Sequence, residues 1–176
     1  MTAGLARAAG ALAAAALLFG CATPPPQPPA ADLLSGRLSV QVAANGRHAA
    51  RSVSAAFELR GTAEHGELDL SGPLGQTVAR ARWSPGRAAL LTSDGERSFA
   101  DLESLAEEAL GERLPLGAVV DWLHGRPWPG APSRPATQGF EQLGWSVSLA
   151  RAAEGLIVAE RSAPPAVTLR ARLDGR

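Results

Sequence analysis

The 176-residue chain contains one cysteine and no lysine. A lone Cys21 excludes any disulfide within the chain. The 17 basic residues, all arginine, are balanced by 17 acidic ones, and the formal net charge is zero. They form no basic stripe, which argues against a nucleic-acid partner. The three histidines, His48, His65 and His124, are not paired at a metal-ligand spacing, so neither a metal nor a cofactor is expected. There is no G-x-S-x-G and no glycine-rich phosphate loop. Asp32, Glu58, Asp94 and Asp101 are scattered over turns and edges and suggest no acid–base pair. No enzymatic activity is expected from such a chain. The apolar run Ala8–Phe19 is too short for a comfortable membrane span.

That run follows Arg7 and reads as the core of a secretory leader over residues 1–20. It ends Leu18-Phe19-Gly20-Cys21, which resembles a bacterial lipobox with a bulky residue at Phe19. The resemblance makes Cys21 the lipidated residue. Residue 22 is Ala rather than Asp, and by the same resemblance the destination is the outer membrane. Residues 21–32 carry Pro24, Pro25, Pro26, Pro28 and Pro29 and read as a tether with polyproline character. Residues 33–176 are long enough for one domain with a core of its own, expected to act as a monomer.

Alternation with a period of two dominates that domain. It predicts strands over Arg37–Val42, Arg51–Arg60, Glu67–Leu70, Thr77–Trp83, Ala88–Thr92 and Arg97–Phe99. Asn45-Gly46, Pro85-Gly86 and Asp94-Gly95 mark turns between them. The period then changes. Leu102, Leu105, Ala106, Ala109 and Leu110 form one helical stripe, with Asp101 as cap and Gly111 as stop. Leu116, Val119, Val120 and Leu123 form a second, entered at Pro115 and stopped at Gly125. Arg126–Pro135 reads as a proline-rich loop. Strands resume over Thr137–Leu143, Trp145–Leu149, Gly155–Glu160 and Val167–Leu173. Hairpin-length links mean an antiparallel meander. The fold class expected is α+β: an unclosed antiparallel β-barrel of about ten or eleven strands, with short helices against its apolar concave face.

One turn does not fit the habit of placing polar residues in water. Ser71-Gly72-Pro73-Leu74-Gly75 links two strands, with Pro fixing φ and the two Gly permitting φ > 0. Its one long side chain is Leu74. Either Leu74 folds back onto the core, or it meets a membrane or another apolar partner.

Several stretches, taken in order, carry a resemblance. They are the lipobox and tether, Gly36-Arg37-Leu38-Ser39-Val40, and Leu68-Asp69-Leu70-Ser71-Gly72-Pro73-Leu74-Gly75-Gln76-Thr77. Trp122-Leu123-His124-Gly125-Arg126-Pro127 and Phe140-Glu141-Gln142-Leu143-Gly144-Trp145 complete the set. Together they resemble the LolB family of outer-membrane lipoproteins. At the chain's end, Arg170-Ala171-Arg172-Leu173 is followed by Asp174 where the family often has an aromatic.

The resemblance implies a function. The protein would be anchored through Cys21 on the periplasmic face of the outer membrane. It would accept lipoproteins from a LolA-like periplasmic carrier, shield their acyl chains, and insert them into outer-membrane lipids. Pro73, Leu74 and Gly75 would form the insertion loop. Leu38, Val40, Phe57, Leu59, Leu68, Leu70, Trp83, Leu90, Leu116, Val119 and Leu123 would line the acyl-chain cavity. Arg80 and Arg82, on the polar face beside the turn, are candidates to meet the carrier or lipid headgroups, against the plainer reading of solvated arginines. The competing class is a scaffold lipoprotein of an envelope complex with no acyl-chain transfer; a periplasmic lipid hydrolase comes third.

Overall fold

The computed structural model describes residues 33–46 and 49–175. The leader, Cys21, the tether and His48 lie outside those residues. Eleven strands form one antiparallel sheet: β1 (Leu34–Val42), β2 (Arg51–Gly61), β3 (Gly66–Ser71), β4 (Thr77–Ser84), β5 (Arg87–Thr92), β6 (Gly95–Phe99), β7 (Ser133–Ala136), β8 (Gly139–Gln142), β9 (Trp145–Arg151), β10 (Leu156–Arg161) and β11 (Val167–Leu173). Helices α1 (Leu102–Leu110) and α2 (Leu116–Leu123) stand between β6 and β7.

The order across the sheet is β6-β5-β4-β3-β2-β1-β11-β10-β9-β8-β7. The first and last strands therefore meet mid-sheet, paired from Gly36 with Leu173 to Val42 with Val167. The absence of a terminal aromatic does not disturb this seam: Asp174 N–H donates to the Ser35 carbonyl at 2.9 Å. The free edges are β6 and β7, so the barrel is open between them. The chain crosses from one edge to the other through the two helices.

Each strand owes its place to its alternation. Along β2, Ala55, Phe57 and Leu59 are buried while Glu58 and Arg60 are exposed. In β11, Val167, Leu169, Ala171 and Leu173 are all buried. Helix α1 starts where Asp101 accepts from Ser104 N–H at 2.7 Å and stops at Gly111, φ 76°. Its buried residues are Leu102, Leu105 and Ala106. In α2, six of eight residues are buried, because this helix lies inside the curl of the sheet.

The proline-rich stretch corrects one expectation. Ser133–Pro135, read as the end of the loop Arg126–Pro135, belongs to strand β7 (Ser133–Ala136), which pairs with β8 from Ser133–Gln142 to Ala136–Gly139. Pro135 lacks an N–H and is tolerated because β7 is an edge with no partner beyond it. β8 is correspondingly shorter than expected, Gly139–Gln142, and Leu143 belongs to a turn.

A meander sorts its turns into two groups. At one end of the sheet, here termed the rim, lie the links β1–β2, β3–β4, β5–β6, β8–β9 and β10–β11. At the opposite end, the base, lie β2–β3, β4–β5, β7–β8 and β9–β10, together with the start of β1 and the end of β11.

Candidate functional site

The β3–β4 turn belongs to the rim. Gly72 N–H donates to the Gln76 carbonyl at 2.9 Å, and Gly75 N–H to the Gly72 carbonyl at 3.0 Å. Gly75 takes φ 81°. Of the two glycines that permit positive φ, Gly72 does not use it. A Cβ there would instead stand 2.5 Å from the Gln76 side chain. With its backbone closed on itself, the turn holds Leu74 away from the core, and Leu74 is 93% exposed. Of the two readings of this leucine, the structure excludes the one in which it folds back.

Behind the turn is the concave face. Val40, Phe57, Leu59, Trp83, Val119 and Leu123 are buried in the core. Leu38, Leu68, Leu70, Leu90 and Leu116 are only partly buried and pack against it. The cover is uneven. On the β8–β11 side the inward residues Phe140, Trp145, Val147, Ile157, Ala159, Val167, Leu169 and Ala171 are closed off, none more than 5% exposed. Most of the half-covered inward leucines of the sheet lie on the other side, on β1, β3 and β5, with Leu149 on β9 the exception. Val53, also on the inward face of β2, is 40% exposed near the rim. The cover is thus less complete over β1, β3 and β5, even though α1 packs against β5 and β6.

Polar links hold the helices at their margins. Arg97 donates to Glu108 at 2.7 Å, from β6 to α1. That pair pulls the Glu108 carboxyl below its ordinary range and raises the Arg97 guanidinium, through the hydrogen bond first and the charge second. The Asp101 carboxyl is lowered by its hydrogen bonds from Ser104. Arg51 on β2 donates to the Ala109 carbonyl at 3.3 Å. Beyond the helix, Arg161 on β10 donates to Glu112 at 3.0 Å and lies over the Trp145 ring at 5.6 Å.

Arg80 and Arg82 point from β4 toward neighbouring acids. Arg80 donates to Asp69, an interaction that raises its guanidinium further above its ordinary value. Arg82 donates to Glu67 at 2.6 Å. Arg60 reaches Glu58 at 2.7 Å, with Glu67 and Asp69 at 3.9 and 3.8 Å. Three cations and three anions compensate one another on this outer surface, so both arginines have local partners.

Two features were not read from sequence. Gln142 is a buried polar hub, 2% exposed. Its Oε1 accepts from Trp122 Nε1–H at 2.8 Å and Trp128 N–H at 2.9 Å. Its Nε2 donates to the carbonyls of Trp128 and Ala131 at 2.7 and 2.8 Å. With the tilted Trp122–Trp145 contact at 5.7 Å, this hub explains why the two tryptophan-bearing motifs occur together: each holds the other. The second feature is Leu143, the non-glycine residue with positive φ among the described residues (53°), and 46% exposed. A branched side chain in that region costs about 1–2 kcal/mol.

The family described as "Outer membrane lipoprotein LolB" matches residues 33–174. Three similar proteins carry the name outer-membrane lipoprotein LolB. The one from Bordetella petrii is 37% identical over 85% of this chain and 82% of its own length. The one from Chromobacterium violaceum is 39% identical over 81% and 82% respectively. The one from Cupriavidus metallidurans is 38% identical over 67% of this chain and 60% of its own length.

Proposed function

The chain belongs to the LolB family of outer-membrane lipoproteins, and from that premise we propose that it receives lipoproteins from a LolA-like periplasmic carrier and delivers them into the outer membrane. Cys21, acylated, would anchor it there on the periplasmic side. The reading is supported above all by one observation: a leucine 93% exposed on a closed turn at the rim of an apolar trough.

The physical problem is moving acyl chains through water. Each CH₂ exposed costs about 0.8 kcal/mol, so a triacylated cargo needs continuous cover. The half-buried leucines of β1, β3 and β5 are suited to begin that cover. The core residues Val40, Phe57, Leu59, Trp83, Val119 and Leu123 would come into contact with acyl chains only as the helices give way. That exchange replaces protein–protein apolar contact by protein–lipid contact, which is nearly even in free energy, so the helices need no external energy to yield. Steps of about 1.4 kcal/mol per tenfold in affinity then order carrier, acceptor and bilayer.

Leu74 alone contributes about 1.5–3 kcal/mol on burial in lipid. That orients a protein already tethered but does not anchor one. Arg80 and Arg82 would serve carrier or headgroup contact only by exchanging their present acidic partners, and are secondary to the turn.

The direct experiment mixes the purified chain with a carrier–lipoprotein complex and follows which protein the lipoprotein elutes with, then adds liposomes. Movement to this chain and onward to lipid is the expected result. Retention by a cognate carrier, with this chain folded, would remove the proposal and favour a scaffold role.

A further inference from the structure

The rim carries more than one apolar tip. Among the described residues, the large hydrophobic side chains most open to water are Leu33, Val53, Leu74, Val78, Leu91 and Leu143. All but Leu33 lie toward the rim in the strand register: Val53 beside the start of β2, Val78 and Leu91 beside the β3–β4 and β5–β6 turns, Leu143 in the β8–β9 turn. In the rim turns 72–76, 93–94, 143–144 and 162–166, Asp94 is the one charged residue, and the fifth rim link, 43–50, carries Arg47 and His48. The base turns carry Glu64 and His65 in one, Glu154 in another and no charge in 85–86 or 137–138, so what sets the rim apart is its exposed aliphatic side chains.

Leu143 is the informative member. It occupies a left-handed position in a two-residue turn, followed by Gly144 at φ 77°. Asparagine, aspartate or glycine would sit there without strain and would also be happier in water. A leucine there is wrong for the backbone and wrong for the solvent at once. Apolar cover of the side chain would remove the solvent mismatch and offset the backbone cost. The β8–β9 turn is separated from the Leu74 turn by the strands between β3 and β9 in the sheet order, so the two tips stand on different sectors of the rim.

We propose that the whole rim is a bilayer-facing surface, and that Leu143 is a second lipid-contacting tip that, with Leu74, fixes the tilt of the barrel on the leaflet. This deepens the insertion reading above and rests on it. A lipid leaflet is favoured over a protein partner by the chemistry of the rim, whose turns offer exposed aliphatic side chains, proline and alanine, and only Asp94 and Arg47 as formal charges. One apolar point on a surface permits the body to pivot. Two separated points restrict it, and so bring the trough's open side to a constant height above the lipid.

The test places the photo-reactive residue p-benzoylphenylalanine at position 74, 143 or, at the base, 86, in the full-length chain anchored in phosphatidylethanolamine–phosphatidylglycerol liposomes. Irradiation should give lipid adducts from 74 and 143 and none from 86. Adducts from 74 without 143 would overturn this inference and leave the role of Leu74 standing. Adducts from neither would overturn both. Cross-linking of 143 to an added carrier, with none to lipid, would reassign the tip to protein docking and also overturn the inference. Leu143→Asn gives an independent readout, since Asn is at ease at positive φ. Its thermal midpoint should be unchanged or raised by about 2–4 °C, while delivery of cargo to liposomes slows several-fold. A variant that is equally stable and delivers at the normal rate would overturn the inference.

Discussion

Leu74 and Gln142 show two opposite ways for a side chain to matter. Leu74 touches almost nothing of its own protein, so changing it should leave the fold alone. Leu74→Glu is expected to shift stability by less than about 0.5 kcal/mol. It should accept cargo normally and release it into liposomes more slowly; thermal unfolding and the two-step transfer assay check each half. Gln142 makes four hydrogen bonds in the dry interior. Gln142→Leu has similar volume but strands an indole N–H, a backbone N–H and two carbonyls. The expected loss is about 2–4 kcal/mol, read as a lower denaturant midpoint. Leu74 was conspicuous in the sequence because it broke the polarity of a turn. Gln142 was not, because a glutamine between Glu141 and Leu143 looks like any outward residue of an alternating strand. Only the fold places helix α2 and the loop carrying Trp128 and Ala131 around it.

At the scale of elements, periodicity carried most of the information. The strands and helices bounded by alternation or by caps lie where their patterns put them, and Asp101 and Gly111 delimit α1. β7 was missed because proline in a short polar stretch signals a loop, and edge position is a property of the sheet. Leu143 was assigned to the end of the strand Thr137–Leu143, whereas it is a left-handed turn residue. The uneven cover of the trough was equally illegible, since alternation says which face is inward but not which part of that face the helices reach.

Helix α1 carries the testable acid response. Asp101 and Glu108 both have carboxyls lowered in the folded state. Their contribution is therefore present above the ordinary carboxylate values and is lost as pH falls through the lowered folded ones. Stability should decline on acidification below about pH 4. In the double variant Asp101→Asn, Glu108→Gln that decline should be shallower. Denaturation midpoints of both proteins, measured between neutral pH and pH 3, decide it; parallel slopes would place the acid response elsewhere.

For the molecule as a whole, the meeting of β1 with β11 in the middle of the sheet has a mechanical consequence. The chain enters the barrel at the base, whereas Leu74 stands at the rim. On the proposed reading, the leash and the foot are therefore at opposite poles. Twelve residue steps from Cys21 to Leu33 have a contour of at most about 40 Å, and the eleven residues of β2 span about 36 Å at full extension. A barrel fixed to the membrane at Cys21 can stand rim-down only if its leash runs nearly the full height of its own wall. On that reading the leash would act as a ruler with little slack. Removing six residues from 22–31 should leave folding and cargo acceptance intact yet abolish delivery by the anchored protein, while the same deletion in an unanchored Cys21→Ala chain should change nothing. Paired delivery rates for those two chains would show whether the barrel must turn over to do its work.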